Sequence, residues 1–208
     1  MKNEKIKLLS PVRASLEQAA QQEISAERKS ILQPLINYVQ AKLDSGEAVN
    51  LNFICTHNSR RSQFSQIWAQ AAADYYGIPI KSLSGGVEVT AFNERAVEAI
   101  KRNGFRVSSK GQTNPVYFVF NSDDNEPLSA FSKLYDDSAN RTDKFAAVMT
   151  CSHADENCPF IPGTEKSISV TYEDPKAFDD TAEESEKYDE RSLQIASEMH
   201  YVFSNIKY

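Results

Sequence analysis

Apolar positions along the chain fall into two rhythms, and the change between them comes near residue 47. Before it, the spacing is helical. Ser10-Pro11 offers a helix start with proline at the first helical position. A second run, residues 26–43, puts Ile31, Leu32, Leu35, Tyr38 and Val39 on one face. Pro34 inside it predicts a kink or a boundary, and Ser45-Gly46 ends it. From residue 49 short apolar runs alternate with helical patterns. Residues 49–54 read as a strand. Phe64, Ile67, Trp68, Ala71, Ala72 and Tyr75 then recur as one helix face, closed by Gly77. Residues 80–83 are a second strand. Asn93 caps a helix through Ala96, Val97 and Ile100 that stops at Gly104. Residues 116–120 read as a strand, 128–135 as a helix and 145–149 as another strand. A last helix, about 188–206, carries Ile195, Met199, Val202 and Ile206 on one face. The acidic stretch 179–190 leads into it as a solvated turn.

Strands alternating with helices predict an α/β fold with a doubly wound parallel sheet. The chain divides accordingly into a helical extension, residues 1–46, and an α/β domain, residues 47–208. On such sheets ligands sit beyond the carboxyl ends of the strands. Cys55 and Cys151 each stand just after a predicted strand, so both can face one crevice.

Charge and cysteine content narrow the function. The chain has 208 residues and a net charge of −6, which argues against a nucleic-acid platform. No apolar stretch reaches membrane-spanning length, and the opening MKNEKIKLLSPVRASLEQ lacks a signal-peptide core. A cytoplasmic protein is expected. Three cysteines, Cys55, Cys151 and Cys158, are too few for a disulfide framework. In a reducing compartment they are free thiols, metal ligands or catalysts.

The densest chemistry is CTHNSRRS, residues 55–62, lying between the first strand and its helix. A loop that leaves a strand and enters a helix directs backbone N–H groups inward and, with the helix dipole, forms an anion site. Thr56, His57, Asn58, Ser59, Arg60, Arg61 and Ser62 can wrap one tetrahedral oxyanion with Cys55 beneath its central atom. Arg61, six residues after Cys55, can hold two oxygens with its planar fork. The positive surroundings favour the nucleophilic thiolate, and Ser62 can donate a hydrogen bond to it. Asn58 tolerates the left-handed backbone a tight loop needs. The spacing alone also fits a buried structural cysteine beside exposed arginines; the flanking strand and helix favour the cradle.

FICTHNSRRSQ resembles the phosphate loop of the low-molecular-weight protein tyrosine phosphatase superfamily, in particular its arsenate reductase branch. SLSGGVEVTAFNERAVEAIKRNGF, AAVMTCSHADENCP and YEDPKAFDD resemble further segments of that family, and the likeness covers about residues 49–208. It implies a four-stranded parallel sheet with the anion loop after its first strand. It implies that Cys55 is the nucleophile, Arg61 the oxyanion-binding arginine and Asp174 the general acid. It implies that Cys151 and Cys158 relay a disulfide to an external thiol reductant, thioredoxin or similar, with arsenate as substrate and no bound cofactor. The alternative is a phosphatase acting on a phosphoprotein or another phosphomonoester, with the two further cysteines idle.

Some positions depart from the family. Arg60 stands where relatives often have a small residue and adds charge at the rim. Gln66 replaces a glutamate that in some reductases helps bind potassium, so that ion is not expected. Lys176 and Ala177 occupy the place of a tyrosine pair common in tyrosine phosphatases. The stretch 121–142 is longer than the usual connection. A zinc site from Cys151, His153 and Cys158, with Cys55 or Asp155, would have unfamiliar spacing, and no metal is expected. Residues 1–46 fall outside the resemblance; they can cover the site, dock a partner or complete the core.

Overall fold

The computed structural model describes residues 6–152, 154 and 161–208. Along them run α1 (Ser10–Ala19), α2 (Ala26–Asp44), β1 (Asn50–Cys55), α3 (Arg61–Tyr76), β2 (Lys81–Gly86) and α4 (Glu94–Arg102). There follow β3 (Arg106–Lys110), β4 (Val116–Phe120), β5 (Leu128–Ala130), β6 (Phe145–Met149), β7 (Thr164–Ser169) and α5 (Glu184–Ser204). β2, β1, β6 and β7 lie side by side in that order, all parallel. β1 and β6 are buried along their whole length, as central strands of a parallel sheet must be. The order reverses beside β1, which puts the ligand crevice beyond the carboxyl ends of β1 and β6.

The pleat divides the apolar side chains between two clusters. Leu51 and Phe53 of β1, with Ala146 and Val148 of β6, enter the main core, where Phe64, Ile67 and Trp68 of α3 meet Ile195, Met199 and Val202 of α5. Ile54, Ala147 and Met149 point the other way into a smaller cluster with Cys55, Cys151, Ala154 and Ile161. Val12 and Leu16 of α1, and Leu32, Leu35 and Val39 of α2, are fully buried in the main core.

α2 runs unbroken through Pro34, capped by Ser25, whose Oγ accepts from the Arg28 N–H at 3.1 Å. The boundary expected at that proline is absent: four core side chains on the flanking turns, Leu32, Leu35, Ile36 and Val39, hold the helix across it. Ile31, expected on the buried face, is exposed.

Two expectations change around the long connection. Residues 116–120 are a strand but not part of the parallel sheet: β4 is the centre of a separate antiparallel sheet, β3-β4-β5. Residues 128–135, expected as a helix, form β5 and an extended segment whose Leu134 bridges Gly86. Over eight residues the apolar positions fit a two-residue period as well as a helical one. Pairing with β4, a partner distant in sequence, decides in favour of the strand. β3 and β7 were not anticipated; both are mostly polar and exposed, with little apolar periodicity to mark them.

Candidate active site

The segment from Cys55 to Arg61 turns from the end of β1 into α3. Asn58 takes φ +47°, the left-handed conformation the tight turn requires. Its side chain then ties the turn together: Nδ2 donates to Ser62 Oγ at 2.8 Å, and Oδ1 accepts from the Lys133 N–H at 3.2 Å. Gln63 Nε2 donates to the Asn58 carbonyl and to that of Phe131, both at 2.9 Å. No side chain caps the first turn of α3, so its N–H groups remain directed at the loop.

Cys55 lies at the floor, 4% exposed, with Sγ 3.1 Å from Ser62 Oγ. Asn58 donates to that same hydroxyl oxygen, which leaves the Ser62 proton free to point at sulfur. At the rim, Asp174 sits between two arginines. Its Oδ1 accepts from Arg60 Nε at 2.9 Å and its Oδ2 from Arg61 Nη2 at 2.8 Å. Arg61 Nη1 donates to the Tyr172 carbonyl at 3.1 Å, while its Nε is buried without a partner. An unmet buried donor on a guanidinium beside the cysteine loop is suited to an anion's oxygen.

Cys151 follows β6 as Cys55 follows β1. It is 1% exposed, its Sγ is 3.5 Å from Thr56 Oγ1 and accepts from the Ala154 N–H at 3.4 Å. The two thiols therefore share one small apolar cluster at the strand ends. The structure joins Arg61 to Asp174 and places Cys55 and Cys151 in one cluster. Cys158 lies outside the described residues, as do His153 and Asp155. Among the described residues no group of His, Cys, Asp and Glu is arranged to hold a metal. His57 pairs with Glu88 at 3.2 Å on the surface.

Sequence reasoning missed the brace behind the loop. Ser132 Oγ donates to the His57 carbonyl at 2.8 Å and accepts from the Thr90 N–H at 2.8 Å. Gly86 N–H donates to the Lys133 carbonyl at 2.8 Å, and Tyr135 N–H donates to the Gly86 carbonyl at 3.0 Å. Lys133 is 3% exposed; its ammonium lies 3.5 Å from Ser84 Oγ and 3.4 Å from the Phe131 carbonyl. Burial pulls it down from 10.5 to about 8, against the attraction of Asp137. Gln66 donates to the Ser82 carbonyl at 3.2 Å and accepts from Ser84 Oγ, so it is spent on neighbouring protein groups. The unusual length of the connection was the one sequence signal for this brace. His200 is half-buried and hydrogen-bonded with Tyr76 Oη at 2.7 Å.

No family model matches the chain. Arsenate reductase 2 of Staphylococcus haemolyticus, strain JCSC1435, is 32% identical over 123 residues, which is 59% of this chain and 76% of that protein. An arsenate reductase of Staphylococcus aureus, strain Newman, is 31% identical over 124 residues, again 59% and 76%. Among solved structures, a low-molecular-weight phosphotyrosine phosphatase from Vibrio cholerae O395 is 14% identical, covering 76% of this chain and 95% of that one at a TM-score of 0.47.

Proposed function

The chain belongs to the arsenate reductase branch of the low-molecular-weight protein tyrosine phosphatase superfamily, and from that premise we propose that it reduces arsenate with its own thiols. The observation that carries this reading is the second buried thiol, Cys151, beside the cysteine loop. Ester hydrolysis needs only one thiol; reduction needs a second within reach of the first.

Arsenate enters the loop and its oxygens take the Arg61 donors together with the N–H groups at the start of α3. The Cys55 thiolate, stabilised by the Ser62 hydroxyl, attacks arsenic and forms an S–As bond. One oxygen leaves as water, with Asp174 giving the proton. The Cys151 thiolate then attacks Cys55 sulfur. An S–S bond forms, the S–As bond breaks, and its electron pair stays on arsenic, which leaves as arsenite. The Cys158 thiolate attacks Cys151 sulfur, which releases Cys55. A dithiol reductant of the thioredoxin kind reopens the Cys151–Cys158 disulfide. Such a relay fits a reducing compartment, and we place the protein in the cytoplasm. Among the described residues no helix is long and apolar enough to cross a membrane.

The second reading is hydrolysis of a phosphomonoester, free or on a protein, through a Cys55 phosphoenzyme. The Arg61–Asp174 pair favours it equally, because both reactions need an anion clamp and an acid. A thiol count separates the two. Reduced protein, freed of reductant and given excess arsenate without oxygen, is expected to fall from three titratable thiols to one. Phosphate leaves three, and arsenate leaves the Cys151→Ser variant at its full two. A wild-type count that stays at three overturns the reductase reading.

A further inference from the structure

We propose that Arg28, on the N-terminal extension, is a positioning residue that holds the Asp174 segment in register with the cysteine loop through Glu198 and Tyr172; this rests on the general-acid reading of Asp174. Arg28 lies in the first turn of α2 and Glu198 on α5, and their side chains form a two-point fork. Nε meets Oε1 at 2.8 Å and Nη2 meets Oε2 at 2.9 Å. The Glu198 side chain is only 3% exposed. A carboxylate that deeply buried needs compensation on every side, and it has it. Gln194 Nε2 donates to Oε1 at 3.3 Å, and the Tyr172 hydroxyl donates to Oε2 at 2.8 Å. The Arg28 guanidinium also lies over the Tyr172 ring, 4.7 Å from its centre.

Tyr172 is two residues before Asp174, and it is held at both ends. Its phenol is fixed by Glu198 and Arg28. Its backbone N–H donates to the Thr150 carbonyl at 3.1 Å, one residue before Cys151. Its carbonyl accepts from Arg61 Nη1 at 3.1 Å. Burial, then the neighbouring Glu198 charge, push the phenol far above its usual range, so it stays a donor at any working pH.

The need for this anchor follows from the anion. Asp174 is tethered by Arg60 and Arg61, and Arg61 must turn its fork to the oxyanion when one binds. At that moment the bonds of Arg61 to Asp174 and to the Tyr172 carbonyl are lost, and the Tyr172 phenol and N–H bonds remain, with Arg60, to keep Asp174 over the leaving oxygen. Arg28 thereby gives the extension a place in the reaction without touching substrate.

The test uses Tyr172→Phe, which removes only the hydroxyl link, and the double variant Arg28→Met/Glu198→Gln, which removes the pair without leaving a buried charge unmatched. Two quantities are read: the saturating single-turnover rate of arsenate-dependent thiol loss with its half-saturating concentration, and amide hydrogen exchange across 171–174 with arsenate present. Each variant is expected to lower the saturating rate tenfold or more without raising half-saturation, and to speed exchange in 171–174 at least tenfold while β1 and α3 keep theirs. Arg28→Lys, which keeps the charge but not the fork, should recover part of both losses. Unchanged exchange in 171–174 overturns the proposal, and so does faster exchange spread evenly over the chain. If the wild type loses no thiols to arsenate, the reductase reading fails by itself, and the exchange result still decides whether Arg28 holds the segment.

Discussion

At the scale of single residues, Asp174 has two roles that pull in opposite directions. Its carboxylate occupies the Arg61 donor at 2.8 Å that an incoming oxyanion also wants, and in the proposed mechanism it is the acid that the departing oxygen needs. Asp174→Asn keeps the shape and removes the charge. The leaving step is expected to slow by about two to four decades, the range for a positioned acid or base. Half-saturating arsenate should fall at the same time, because a neutral amide competes less well for the arginine fork. Single-turnover thiol loss against arsenate concentration reads both numbers. An unchanged rate removes Asp174 from the chemistry; a slower rate with weaker binding removes the competition. Arg60, which holds the other carboxylate oxygen at 2.9 Å, shares that restraint.

At the scale of elements, the loop depends on how closely β2 and the segment after β5 approach it. A Cβ built on Gly86 would stand 2.7 Å from the Asn58 nitrogen and 2.9 Å from the His57 carbonyl carbon, both backbone atoms that cannot swing aside. Gly86→Ala is therefore expected to displace the turn rather than merely crowd it. The expected cost is about 1–3 kcal/mol in stability, as for overpacking, with at least a tenfold loss of arsenate-dependent thiol consumption. Denaturant unfolding and the thiol assay measure the two, and normal activity would show that the loop tolerates the shift. Strand, loop and helix from residue 49 to 77 were legible in sequence because the signals there are local: an apolar run, Asn58 at the left-handed turn, a helical stripe and Gly77 at the end. Cys55, Arg61 and Asp174 are candidates on equally local signals, since the motif around each spans only a few residues. The brace was not legible. Ser132 and Lys133 reach the loop only because β5 pairs with β4, and an eight-residue run carries no mark of that distant partner. The Arg28–Glu198 pair joins positions 170 residues apart and was hidden for the same reason.

At the scale of the whole molecule, the buried Lys133 ammonium should leave its signature on stability against pH. Burial lowers its proton affinity in the folded chain to about pH 8, against 10.5 for an ordinary lysine. Between those values the unfolded chain holds a proton that the folded chain has released, so stability rises with pH across the window. The contribution is complete above 10.5 and is lost as pH falls through about 8, where the folded chain must take up the charge. A separation of this size corresponds to about 3 kcal/mol. The tyrosines Tyr38, Tyr172 and Tyr188 are all raised by burial first, and carboxylate neighbours add to the effect. Their protonation pulls the other way only toward the alkaline end. Lys133→Met isolates the lysine: it keeps the buried stem and removes the titrating group. Urea unfolding at pH 7.5 and pH 10 should show the wild type gaining about 2 kcal/mol on the variant over that interval, most of the window's span. Parallel curves for the two proteins would mean that the ammonium is solvated or paired in solution, and that the brace holds the cysteine loop without it, through contacts such as Ser132 Oγ to the His57 carbonyl.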